Sequence, residues 1–89
     1  MIKEEITIIN KLGLHARAAG KLVSEASAWS SQVKLGNGNK MVDAKSIMSV
    51  MMLAAGCGSR LVLEVEGSDE AEAYQSITTL INDRFGEEE

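Results

Sequence analysis

Aromatic residues are almost missing from this chain: its 89 residues include one tryptophan, Trp29, one tyrosine, Tyr74, and one phenylalanine, Phe85. The core must therefore be aliphatic, and there is little on which nucleic-acid bases could stack. Lysine and arginine are few and unclustered, and the formal charge is −4. The electrostatic footprint of a nucleic-acid binder is thus lacking, and no nucleic acid is expected among the partners. A single cysteine, Cys57, permits no internal disulfide, and one cysteine with one histidine cannot build a metal cluster, so no metal or cofactor is expected. The lone thiol fits a reducing compartment and is expected to be a partly buried structural residue. No apolar run of about 18 residues is present to span a membrane. The segment Met1-Ile2-Lys3-Glu4-Glu5 has neither the basic region nor the apolar stretch of a signal peptide, so a cytoplasmic location without a membrane partner is expected.

What is present is ordinary for a soluble domain: 45% hydrophobic and 25% charged residues. The length suits one domain over residues 1–89 with a single modest core. Ile2 to Ile9 is rich in β-branched residues, with Ile6 and Ile8 on one face and Glu5 and Thr7 on the other, which predicts a strand. Asn10 to Leu14 has no period and contains a glycine, so it is a loop. Ala16 to Ala26 then places Ala16, Ala19, Gly20, Val23 and Ala26 at helical spacing, a small-residue face able to lie close to a sheet. Gln32 to Leu35 alternates, Gly36-Asn37-Gly38-Asn39 is a turn, and Lys40 to Asp43 returns. Ser46 stands before Ile47, Val50, Met51 and Ala54, an N-cap before a second helix that Gly56-Cys57-Gly58 should end. Arg60 to Glu66 is the fourth strand. Asp69 with Glu72 reads as a capping box opening a third helix through Ala73, Ile77, Leu80, Ile81 and Arg84. The tail Gly86 to Glu89 is expected to fray. The order is βαββαβα, and the solution that buries each apolar face is an open-faced α/β sandwich: a four-stranded sheet, mixed or antiparallel, with three helices on one side.

The only histidine, His15, falls at the start of the first helix. Imidazole is a neutral nucleophile near neutral pH, and its ring nitrogen can take a phosphoryl group directly. A helix start supplies free N–H groups and the positive end of the helix dipole, here at Ala16 and Arg17, with the Arg17 guanidinium two residues from His15. The bland alternative is a small binding module in which His15 merely caps the helix.

Gly13-Leu14-His15-Ala16-Arg17 together with Asp43-Ala44-Lys45-Ser46-Ile47-Met48 resembles the HPr family, the histidine-containing phosphocarriers of the bacterial phosphoenolpyruvate-dependent sugar phosphotransferase system. The two motifs, their separation and the length agree across essentially the whole chain. The resemblance implies a βαββαβα sandwich with an antiparallel sheet. It also implies a carrier, not a turnover enzyme, that accepts a phosphoryl group from phospho-Enzyme I on His15 Nδ1 and passes it to EIIA proteins. Arg17 and the Ala16 amide would stabilise the phosphate. Ser46 resembles the site modified by an HPr kinase/phosphorylase, and such a carrier is expected to be monomeric. Partners would meet Gly20 and Ser24 on the first helix and Ile47, Met48 and Met51 on the second, helped by Lys21 and Lys45. A paralogue serving a nitrogen-related or purely regulatory branch is the other reading within the family. One position departs from the pattern: Ala18 stands where proline is usual, which should loosen the first turn and add an N–H donor.

Overall fold

The structure, a computed structural model, describes residues 1–89. Strand β1 is Ile2–Thr7, helix α1 Ala16–Ser27, β2 Gln32–Gly36, β3 Met41–Asp43, α2 Ile47–Met51, β4 Arg60–Glu66 and α3 Glu70–Asn82. Three antiparallel pairings set the strand order β1-β4-β2-β3. The period-2 patterning dictates which face is buried: Ile6, Val33, Leu35, Leu61, Leu63 and Val65 point inward, whereas Glu5, Gln32 and Lys34 face water. Onto the inner face pack Ala18, Ala19, Leu22 and Ala26 from α1, Val50 from α2, and Ala73, Ile77 and Ile81 from α3. The core is one aliphatic cluster plugged by a single aromatic ring, that of the fully buried Phe85.

Several expectations need correction. The buried stripe of α1 runs through Ala18 and Leu22; Ala16 is exposed, and Gly20 and Val23 are half-buried. Because most side chains of this helix are small, apolar spacing alone did not fix its rotation about its axis. Helix α2 ends after five residues, not at the Gly56 to Gly58 glycines, because Ala54 already adopts the left-handed conformation (φ 51°). At α3, Asp69 makes no side-chain cap bond. Its carboxylate instead accepts from the Ser30 N–H at 2.9 Å, the Ser31 N–H at 2.9 Å and the Ser31 hydroxyl, tying the end of the α1–β2 loop to α3. Those bonds, the Ser31 hydroxyl first, hold Asp69 below the usual carboxylate range. Cys57 is exposed, with its thiol directed to the Ile9 carbonyl at 3.7 Å, so it is not a buried structural thiol. No helix is long and apolar enough to cross a membrane.

The largest difference lies after α3, where Arg84 leaves the helix instead of continuing it. Arg84 and Phe85 both take the left-handed conformation (φ 56° each), at a cost of roughly 1–2 kcal/mol per residue. Burial of the Phe85 ring offsets that strain, contributing about 1.5–3 kcal/mol. The Lys21 ammonium donates to the Phe85 carbonyl at 2.6 Å, and the Lys11 N–H donates to the Glu89 carbonyl at 2.9 Å. The tail expected to fray is instead folded back onto the loop that carries His15.

Candidate functional site

The loop that presents His15 is fixed from both sides. Gly13 has φ 68°, and a Cβ there would lie 2.6 Å from the Ala55 carbonyl oxygen, so only glycine allows this close approach. The next residue uses that approach, since the Leu14 N–H donates to the same carbonyl at 2.8 Å. His15 follows in extended conformation (φ −73°, ψ 177°) as the residue preceding α1.

Its ring does not cap the helix. The first helical bond runs from the Ala19 N–H to the His15 carbonyl at 2.8 Å, and the amides of Ala16, Arg17 and Ala18 have no intramolecular partner. Instead, Nε2 lies 2.5 Å from the Glu87 carboxylate. The other oxygen of Glu87 accepts from Asn10 Nδ2 at 3.0 Å, and Asn10 Nδ2 also donates to the Gly13 carbonyl at 2.8 Å. The hydrogen bond from His15, then that from Asn10, holds the Glu87 carboxyl below the usual range against the opposing push of partial burial. An ionised carboxylate only accepts, so Nε2 carries a proton; in the neutral ring Nδ1 then holds the lone pair. No hydrogen bond occupies Nδ1. The ring is 29% exposed and Glu87 13%. Lys11, Leu12, Arg17 and Glu89 complete an open cleft around the pair.

The other named residues form a second, contiguous surface. Ser46 caps α2, its Oγ accepting from the Ser49 N–H at 3.4 Å. Helices α1 and α2 lie side by side, with Ile47 Cδ1 3.8 Å from where a Gly20 Cβ would sit. Ile47, Met48, Met51 and Met52 are all exposed, Met48 to 71%, and Ser24 is exposed beside the half-buried Gly20. Met51 therefore belongs to the surface and Val50 to the core. Two basic residues of this face are occupied: Lys21 bonds the Phe85 carbonyl, and Lys45 donates to the Trp29 carbonyl at 2.8 Å. Arg17 has neither a hydrogen bond nor an ion pair.

Residues 2–83 match the family described as PTS-HPr, PTS HPr component phosphorylation site. The chain belongs to the HPr family. The phosphocarrier protein HPr of Cupriavidus necator is 56% identical over 89 residues and covers all of both chains. Among solved structures, HPr-C-His from Thermoanaerobacter tengcongensis superposes with a TM-score of 0.95 at 46% identity, again over all of both chains. A second structure from that organism, described as an HPr dimer, gives a TM-score of 0.78 at 46% identity over 98% of this chain and 100% of that one. HPr-family membership therefore does not by itself imply a monomer. The chain is accordingly a phosphocarrier-type component of the phosphotransferase system, with the fold of that family.

Glu87 and Asn10 were not singled out by sequence reasoning, and Glu87 lies beyond the residues that match the family. Three consecutive glutamates look like solvated charge. The one signal pointing the other way was Phe85, a large apolar residue after the helix period ends, whose burial requires the neighbouring chain to turn inward.

Proposed function

We propose that this HPr-family chain carries a phosphoryl group on Nδ1 of His15, taking it from phospho-Enzyme I and passing it to EIIA proteins. The Nδ1 lone pair attacks phosphorus while the donor's bond to phosphorus breaks, its electron pair returning to the donor; transfer to EIIA repeats the exchange with the roles shifted one step. The observation that carries this reading is the engagement of Nε2 by Glu87 at 2.5 Å, which leaves Nδ1 as the nucleophilic nitrogen. Beside it, the unpartnered amides of Ala16, Arg17 and Ala18 and the unpaired Arg17 guanidinium offer donors for the two negative charges of the product. The site lies in an open cleft, a shape that another protein can reach.

The exposed strip of Ile47, Met48 and Met51 beside Gly20 and Ser24 suits brief docking, because methionine side chains adapt to different partners. Ser46 sits at the margin of that strip, at a helix start. Phosphorylation there by an HPr kinase/phosphorylase would put charge on the docking face without opposing the helix dipole. Incubation with phosphoenolpyruvate and Enzyme I, followed by mass measurement in alkali, should show one added phosphoryl group that acid removes and that His15→Ala lacks. Absence of the adduct, or its survival in His15→Ala, would end the carrier reading. Acid-stable label from ATP and the kinase that persists undiminished in Ser46→Ala would end the regulatory one.

A further inference from the structure

We propose that Asn10 is a positioning residue for His15, fixing the Glu87 carboxylate that keeps the proton on Nε2 and the lone pair on Nδ1. The inference rests on the carrier reading for its consequence, though not for its geometry.

Asn10 is fully buried, and its backbone is held at both ends of a short segment. Ile8 continues the β1 pairing by donating to the Ser59 carbonyl at 2.9 Å and accepting from the Gly58 N–H at 2.7 Å; beyond it, the Gly13 N–H donates to the Asn10 carbonyl at 3.1 Å. From that anchored position both hydrogens of Nδ2 are directed outward, one to the Gly13 carbonyl and one to Glu87, while Oδ1 is left buried without a partner. A side chain serving only to close the loop needs the Gly13 contact alone. Leaving a buried carbonyl unpaired while sending the second donor to a residue 77 positions away is a local conflict of the kind that functional sites retain.

The arrangement is a chain of three groups: amide, carboxylate, imidazole. It follows the logic by which a carboxylate behind a working histidine sets its tautomer and orientation, and a further hydrogen bond sets the carboxylate. Because Asn10 bonds the oxygen that His15 does not use, Glu87 stays in place when the ring changes state. A ring phosphorylated on Nδ1 that keeps its Nε2 proton is an imidazolium, and the Glu87 carboxylate to which it donates balances that positive charge. Asn10 therefore holds one geometry for both loading and unloading.

Long-range proton–nitrogen spectra of the His15 ring in the full-length chain, at a pH where the ring is neutral, test this. The wild-type chain should show the Nε2–H pattern. Asn10→Ala and Glu87→Ala should each bring in the Nδ1–H pattern and lower the initial rate of phosphoryl acceptance about tenfold, the low end for outer-shell partners of a working histidine. In the tautomer pattern the double variant should go no further than Glu87→Ala alone, since Asn10 reaches the ring only through Glu87, its bond to the Gly13 carbonyl serving the loop. Asn10→Leu keeps much of the side-chain volume while removing both donors without adding a charge, and should reproduce the tautomer change should the alanine variant fail to fold. An unchanged tautomer pattern in folded Asn10 variants, or a second full increment in the tautomer pattern of the double variant, would overturn the proposal. A wild-type chain with the Nε2–H pattern that accepts no phosphoryl group would overturn the carrier reading instead and leave the positioning role in place.

Discussion

Helices α1 and α2 each begin on a residue able to accept a hydrogen bond from the first turn, and the two residues are used in opposite ways. Ser46 turns its hydroxyl inward to the Ser49 amide. His15 turns its ring away to Glu87 and leaves three amides of its helix without partners. A start satisfied by its own cap has fewer donors for an incoming anion, whereas an uncapped start with a free ring nitrogen beside it can both form a bond to phosphorus and receive the resulting charge. The position of a residue at a helix start therefore does not define its role; the direction of its side chain does. Here that direction is set from outside the helix, by a tail residue and a buried asparagine.

The strongest way to break this contrast is to truncate both residues. His15→Ala should abolish formation of acid-labile phosphate; in a Glu87→Ala background, where the Nε2 bond is already gone, it should move folding stability by no more than about 0.5 kcal/mol, because no cap bond is lost. Ser46→Ala should do the reverse, retaining acceptance on His15 and losing about 0.5–1 kcal/mol in urea unfolding, the low end for a cap whose bond is long. Equal stability losses in the two variants would show that His15 caps after all.

Next in size is Arg17→Ala, which removes the one cation near the open amides that has no intramolecular partner. Acceptance should slow about 10–100-fold, less than the loss of a fully preorganised donor because Arg17 is exposed, with unfolding unchanged. A rate near that of the wild-type chain would assign charge stabilisation to the amides alone.

Much of this contrast, and of the fold around it, was legible in the residues. Alternation in Arg60 to Glu66 and β-branching in Ile2 to Ile9 marked strands, and Ser46 before an apolar i, i+3, i+4 set marked a capped helix. The strand order was not legible, since β1 pairs with β4 across more than fifty residues of chain and alternation marks faces but not neighbours. Equally illegible were features in which two distant segments share one polar group. Asp69 has the right neighbour for a capping box at Glu72, yet its carboxylate is taken by Ser30 and Ser31, which lie 39 and 38 positions away. Glu87 sits among charges that normally seek water, and its side chain finds its partners at Asn10 and His15, far away in the chain. Rotation of α1 was hidden for a different reason, since alanines at 16, 18 and 19 offer almost the same apolar surface in every direction.

An acid series sharpens the comparison at the level of charge. Glu87 and Asp69 both lie below their ordinary values of 4.5 and 3.8 in the folded chain, as does Glu70, held by the Gly67 N–H and the terminal ammonium below 4.5. A depressed folded-state value means that the unfolded chain binds protons first. Their stabilisation is thus fully present above these ordinary values and is lost as the pH falls through the lower folded-state ones. The urea midpoint should decline on acidification below about pH 4.5. Glu87→Gln should flatten the His15-dependent share of that decline and Asp69→Asn the share at α3; a decline of unchanged steepness in both variants would place the responsible carboxylates elsewhere.

The smallest effect is expected at Ala18. Its amide has no partner and it lies in the first turn, so Ala18→Pro should be tolerated and should raise stability by about 0.4–1 kcal/mol through the unfolded chain. Acceptance should fall only slightly, by the contribution of one donor. A large loss of acceptance would show that the Ala18 amide, and not Arg17, is the main contact of the phosphate.

The direct test of the central claim is to load the chain from phosphoenolpyruvate and Enzyme I and to assign the phosphorylated ring nitrogen by phosphorus and long-range nitrogen spectroscopy. The arrangement of Asn10, Glu87 and His15 predicts a single phosphoramidate on Nδ1 with the proton still on Nε2. Phosphate on Nε2, or a loaded ring that has released Glu87, would contradict it.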